Sequence, residues 1–217
     1  MTKGQLLEQT ALNVLNLLNT KGKNIVEGRA LNSPRAVGDA VQLFLSEQGG
    51  LKNCIPTGCL KSFERDFERR SMEDMAFYDV KNQYYAVDCK THNLSTFFNM
   101  PNLISVRRLA NFYKNDNNTF CILIVEYKVE NGGIVYNKCH FKPIEASSWK
   151  CLTIGALGWG QIQIKDANVL KFNKSVNRKK WMIKLCDLLE AFYDEEIGKI
   201  GERKLWFNDI KEYWISK

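Results

Sequence analysis

Residues 73–90 read Glu-Asp-Met-Ala-Phe-Tyr-Asp-Val-Lys-Asn-Gln-Tyr-Tyr-Ala-Val-Asp-Cys-Lys. Met75 to Asp79 and Tyr84 to Lys90 are rich in β-formers, and the polar run Val80-Lys81-Asn82-Gln83 between them predicts a β-hairpin. If the turn centres on Lys81, Asp74 lies opposite Asp88, because the two are equally far from it. Asp88 and Lys90 share a face by the two-residue period of a strand. This register needs an odd-numbered loop or a bulge beside the site. An even loop sets Asp74 against Cys89 and on the other face. In the first case two carboxylates and an ammonium converge, a set that can hold Mg²⁺ through oxygen and orient a water towards a phosphate. The lysine then stabilises the hydroxide or the charge developing on phosphorus. The competing reading makes Asp74 and Asp79 surface hairpin residues and Lys90 a solvated strand end.

On the N-terminal side, Leu6, Leu7, Leu12, Val14, Leu15 and Leu18 recur at near-helical spacing and predict an amphipathic helix. A second helix is punctuated more sharply. Ser33 caps it, Pro34 suits its first turn, Val37, Val41, Phe44 and Leu45 form its apolar stripe, and Gly49-Gly50 ends it. Beyond the hairpin, Leu103, Ile104, Val106, Leu109, Ala110, Phe112 and Tyr113 read as helix after Pro101. Phe120 to Val129 is the best buried strand in the chain, and Asn131-Gly132-Gly133 turns it into a second, Ile134 to Phe141. Residues 178–196 and roughly 205–215 predict two closing helices, with Trp206, Phe207, Tyr213 and Trp214 either in the core or at an interface. The order is that of a mixed α/β domain.

The 217 residues carry 45% hydrophobic and 25% charged side chains, which fits a folded domain and excludes disorder. With no repeat, linker or low-complexity segment, residues 1–217 are expected to form a single domain. A net charge of +7 favours a polyanionic partner, nucleic acid first. Seven scattered cysteines and a start without an apolar signal region fit a reducing cytoplasm. No stretch approaches the roughly 18 apolar residues of a membrane span, so no membrane partner is expected. Cys54 with Cys59, and Cys139 with His140, lack the spacing of a zinc site, and buried free thiols are the commoner case.

The constellation Asp74, Asp88, Lys90 resembles the PD-(D/E)xK motif of type II restriction endonucleases. The stretch Tyr84 to Ser95 followed by Asn99 to Ser105 is similar to HincII-like enzymes within the EcoRV-like group. The likeness runs from Asp74 to about Ala110, and Gly158 to Ile164 weakly resembles a later strand. The motif's proline is absent, Glu73 standing before Asp74, and Cys89 lies between Asp88 and Lys90. The resemblance implies a restriction endonuclease-like core, a mixed β-sheet flanked by α-helices. It also implies Asp74, Asp88 and Lys90 as catalytic residues and Mg²⁺ held by Asp74, Asp88 and the Cys89 carbonyl. Asp39, on the preceding helix, is a further candidate ligand, a helix-surface acid being the alternative. The implied activity is site-specific hydrolysis of double-stranded DNA to 5′-phosphate ends by a homodimer. A cognate DNA methyltransferase is expected in the same system.

Base recognition falls to the polar residues after Lys90: Thr91, His92, Asn93, Ser95, Asn99 and Asn102 offer donors and acceptors beside the cleavage site. The alternative is a capped loop leading into the helix at Pro101, with Asn99 in a turn and Asn102 as its cap. Gln161 and Gln163, after the glycine-rich run Gly155 to Gly160, are candidates for reading adenine edges; a tight turn feeding a strand competes equally. The basic stretch Lys165 to Lys180, including Lys174 and Arg178, is expected to contact phosphates rather than form a solvated face. Two further functions remain open: a repair or junction-resolving nuclease of the same fold, and a DNA-binding protein with a degenerate nuclease core.

Overall fold

The computed structural model describes residues 1–47, 49–68, 71–96, 101–165, 170–173 and 175–217. Helix α1 (Lys3–Lys21) opens with a capping box in which Thr2 and Gln5 satisfy each other's backbone donors. Helix α2 (Pro34–Ser46) starts as its sequence predicts, Ser33 accepting from the Ala36 N–H with proline in the first turn. A short α3 (Leu51–Cys54) follows, where sequence periodicity has too few residues to register. Strand β1 (Leu60–Glu64) then pairs antiparallel with β2 (Met75–Asp79) and forms the edge of the main sheet.

The hairpin of β2 and β3 (Tyr84–Asn93) has the odd loop that its register requires. Tyr78 pairs with Tyr84 and Met75 with Val87, leaving residues 79–83 as the turn. Asp79 organises this turn, its Oδ1 accepting from the N–H groups of Lys81 and Gln83. Tyr85 donates to its other oxygen, and Asn82 takes the left-handed conformation. Asp79 is therefore a buried turn cap rather than a surface acid.

β3 runs parallel to β5 (Asn118–Glu130), which pairs antiparallel with β6 (Gly133–Pro143). Their two-residue turn, Asn131-Gly132, has positive φ at both positions, the geometry that suits the strand twist. The order β1-β2-β3-β5-β6 makes a mixed five-stranded sheet. Alternation along its strands feeds two cores. Tyr85, Val87, Cys89, Leu123 and Val125 face one, with α1, α2 and α3. Ala86, Phe120, Ile122 and Ile124 face the other, with α4 (Val106–Phe112) and the start of α5 (Arg178–Ile215).

A second sheet lies on that latter face, in the order β4-β8-β7: β4 (Asn102–Ser105), β7 (Leu152–Gly155) and β8 (Gln161–Ile164). Here the sequence reading is corrected, because Leu103 and Ile104 belong to a strand and only Val106 onwards is helical. Pairing of Ile104 with Ile162 outweighs the local helical spacing. The two expected closing helices are likewise one, α5 continuing through Gly198 and Gly201. Among the described residues no helix is long and apolar enough to cross a membrane.

Candidate active site

Asp88 and Lys90 emerge on the face of β3 that meets the second core, two residues apart as the strand period requires. Asp74 enters the sheet just ahead of β2, its N–H donating to the Val87 carbonyl at 2.9 Å. The structure brings all three together. Lys90 Nζ donates to Asp88 Oδ1 at 2.6 Å and to the Cys89 carbonyl at 3.3 Å. The Cys89 N–H donates to Asp74 Oδ2 at 2.7 Å.

Asp88 is only 6% exposed, and its Oδ2 is buried without a hydrogen-bond partner. Burial pushes its carboxyl up to about 7; Lys90 opposes this, and the nearby Asp74 charge adds to it. Burial alone lowers the Lys90 ammonium, but the charge and hydrogen bond of Asp88, with Asp74, leave it above the ordinary lysine value. Lys90 is therefore held as a cation. The unpartnered oxygen of Asp88 and the carboxylate of Asp74, which lines the same groove, are oxygen donors of the kind that hard divalent cations prefer. No cluster of three or more His, Cys, Asp or Glu side chains that could hold a metal is found among the described residues.

Two grooves meet at Asp74. One, of about 450 Å³, is lined by Asp74, Asp88, Ser105, Arg108, Trp159 and Gln161. The other, of about 400 Å³, is acidic, with Asp39, Asp66, Glu68 and Glu73 beside Gln42 and Asp74. Helix α2 supplies the wall of the second groove. It approaches β3 closely because Gly38 carries no side chain: a Cβ there would come within 3.2 Å of the Thr91 hydroxyl. Asp39 thus shares a groove with Asp74, but its carboxylate is exposed and faces Arg35 at 3.8 Å. Gln42, one turn on, reaches the site itself, its Nε2 donating to Asp74 Oδ1 at 2.9 Å. Sequence reasoning did not single out Gln42, and its only signal was lying three residues after Asp39.

The residues expected to read DNA scatter. Thr91 faces Gly38, and His92 is buried beside Glu126 in the strand register. Asn93 closes an Asx turn on the Ser95 N–H, and Ser95 itself is exposed. Asn102 is a strand residue rather than a helix cap. Its Oδ1 accepts from Gln163 Nε2 at 2.6 Å, so these two amides hold each other. Gln161 lines the groove that holds Asp88. Arg178 instead donates to Glu145 at 3.0 Å and stacks over Tyr113, away from both grooves. Asn99 and Lys174 lie outside the described residues. The glycine-rich run is a hairpin loop between β7 and β8, Gly158 and Gly160 supplying positive φ. It projects Leu157 and Trp159, both exposed, over the groove, with Arg107 stacked on the Trp159 ring.

The family model described as Restriction endonuclease HincII matches residues 38–191, which spans every residue of this site from Gly38 to Gln161. None of the curated proteins compared with the chain matches it.

Proposed function

Because the chain belongs to the HincII family of restriction endonucleases, and is thus a nuclease acting on DNA, we propose that it is a type II enzyme. On this reading it is Mg²⁺-dependent and homodimeric, and it hydrolyses both strands of duplex DNA at a short palindromic site to leave 5′-phosphate ends. The observation that carries this is the unpartnered, buried Oδ2 of Asp88, whose other oxygen accepts from Lys90, in the groove that Asp88 shares with Asp74. An orphaned carboxylate oxygen at that depth costs stability and is kept where a ligand completes it.

Asp74, Asp88 and the Cys89 carbonyl would hold the ion. When bound, it supplies Lewis-acid polarisation of the phosphate and a water of lowered pKa. Two N–H donors, from Gln42 and Cys89, fix the Asp74 carboxylate, so that its orientation is set before substrate arrives. The Lys90 ammonium, which donates to Asp88 Oδ1, would stabilise the negative charge that accumulates on the phosphoryl oxygens. Asp39, which lines the acidic groove with Asp74, would be a further ligand, at the cost of its pairing with Arg35. The groove walls provide Arg108 for backbone phosphate and Gln161 for a base edge. A symmetric target calls for a two-fold dimer, each subunit cutting one strand. Such an enzyme also implies a cognate methyltransferase to protect the host's own sites.

The test is incubation with plasmid DNA in Mg²⁺ and in EDTA. Discrete Mg²⁺-dependent fragments support the reading. A smear assigns the chain to the less specific nucleases of this fold, and intact DNA that is nonetheless bound makes it a DNA-binding protein.

A further inference from the structure

A third cavity, of about 680 Å³, falls within the roughly 300–1,000 Å³ of small-molecule sites. Among the described residues it shares no lining residue with the two grooves at Asp74. Lys3 and Arg178, the first residues of α1 and α5, meet in it at the N-terminal end of β5. There Thr119 pairs with Tyr85, whereas Asp88 pairs with Ile122 three rungs further on. Strand alternation puts Thr119 and Asp88 on opposite faces of the sheet, about 10 Å apart along it. Lys3 Nζ donates to the Thr119 hydroxyl at 2.8 Å, and an Arg178 Nη reaches the same oxygen at 3.5 Å. Two cations thus share one neutral acceptor that is fully buried. Glu145 matches Arg178 at 3.0 Å, but among the described residues no carboxylate pairs with Lys3, or with Lys142 on the same lining. Burial, and then the Arg178 charge, hold the Lys3 ammonium below the ordinary lysine value, against the carboxylates of Glu145 and Asp79. Neither helix carries an acid in its first turn, so a cation stands at each positive helix end, where the dipole opposes it.

We propose that this cavity binds a small organic anion, its acid group held by Lys3 and Lys142 and its apolar body lying against Leu7, Ala146 and Phe172. The Thr119 hydroxyl takes one of the three donors of the Lys3 ammonium, which leaves two for the oxygens of a carboxylate or a phosphate monoester. The remaining wall decides against a bare inorganic ion. Pro143 and Val176 continue the apolar surface of Leu7, Ala146 and Phe172, and Val176 is 46% exposed. An ion without a body leaves that surface in water, whereas a ligand with an apolar body covers it. The other acids of the lining, Glu8 and Asp116, are exposed, where water and salt screen their charge. Glu145 is buried with both oxygens occupied, one by Arg178 and one by the Tyr113 hydroxyl, so it does not compete for Lys3 at hydrogen-bond range. The site is separate from the catalytic groove and stands whether or not the chain cuts DNA.

The experiment is isothermal titration calorimetry on the full chain in EDTA. Phenyl phosphate and phenylacetate are the organic anions, with inorganic phosphate and benzyl alcohol as the two halves of such a ligand. Wild type should bind at least one of the organic anions at one site per chain with a Kd of about 1 mM or tighter. That affinity should exceed those of inorganic phosphate and benzyl alcohol by at least about 10-fold. Lys3→Met removes the ammonium, and Val176→Glu puts a negative charge on the apolar wall. Each should weaken binding at least about 10-fold while keeping the cooperative melt of wild type, since both positions are exposed. No saturable binding of either organic anion overturns the proposal. Inorganic phosphate that binds as tightly overturns it in favour of a bare anion site. A folded variant of either kind that keeps wild-type affinity also overturns it, because the probe then sits elsewhere on the chain.

Discussion

Gln42 on α2 donates its side-chain amide to Asp74 Oδ1 at 2.9 Å, tying the helix ahead of the hairpin to a carboxylate of the candidate active site. With the Cys89 N–H on the other oxygen, Asp74 is held from two elements at once. Gln42→Ala leaves only the Cys89 bond. The expected outcome is a 10- to 100-fold loss of both cleavage rate and Mn²⁺ affinity, the latter followed by electron paramagnetic resonance, with DNA affinity in EDTA unchanged. Unchanged Mn²⁺ affinity would reduce Gln42 to a packing residue.

Asp88 gives a pH dependence whose sign is opposite to that of an ordinary paired carboxylate. Its folded value of about 7 lies above the roughly 3.9 of an unfolded chain, so between these values the folded state keeps a proton that the unfolded state has released. The metal-free protein is therefore favoured by this group at low pH and loses that stability as pH rises from about 4 to 7. Asp88→Asn removes the effect. In EDTA the variant should gain about 2 kcal/mol relative to wild type on going from pH 5 to pH 8, measured by urea unfolding at both. A constant difference across that range would show that Asp88 ionises normally.

Lys90→Ala removes the cation that faces Asp88 Oδ1 at 2.6 Å. Cleavage should fall by at least about 10²-fold, the usual cost of losing a donor aimed at developing charge, while DNA binding in EDTA persists. Single-turnover rates alongside filter binding separate the two effects.

Arg178 was expected to contact DNA, but its guanidinium is spent on Glu145, which is buried, and on the face of Tyr113. Tyr113 also donates to that carboxylate. Arg178→Met strands the Glu145 charge and should destabilise the fold by about 3 kcal/mol. The slope of DNA affinity against salt should not change, whereas loss of a phosphate contact lowers it by about one.

The pairing of Asp74 with the Asp88 end of β3 was legible because turn formers and β-formers alternate cleanly between 75 and 90, which limits the register to two choices. The odd loop itself was not, since it depends on Asp79 closing a five-residue turn through two N–H bonds and a tyrosine hydroxyl. Helix α2 was readable from Ser33 and Pro34, but its Gln42 carries no local signature, because the hydrogen bond that defines its role spans 32 residues. Asn102 to Ser105 misled for the opposite reason. Leu103, Ile104 and Val106 fit a helical stripe, and only the distant partner strand Gln161–Ile164 makes most of that stretch extended. The helices read at 178–196 and roughly 205–215 are one, α5 running straight through Gly198 and Gly201 between them.

The most direct measurement is cleavage and binding of plasmid DNA by wild type and Asp88→Ala in parallel, with fragment ends mapped. The account predicts discrete Mg²⁺-dependent fragments with 5′-phosphate ends from wild type. The variant should still bind duplex DNA and cut none of it. Fragments that persist unchanged in Asp88→Ala would contradict the assignment of this groove as the active site.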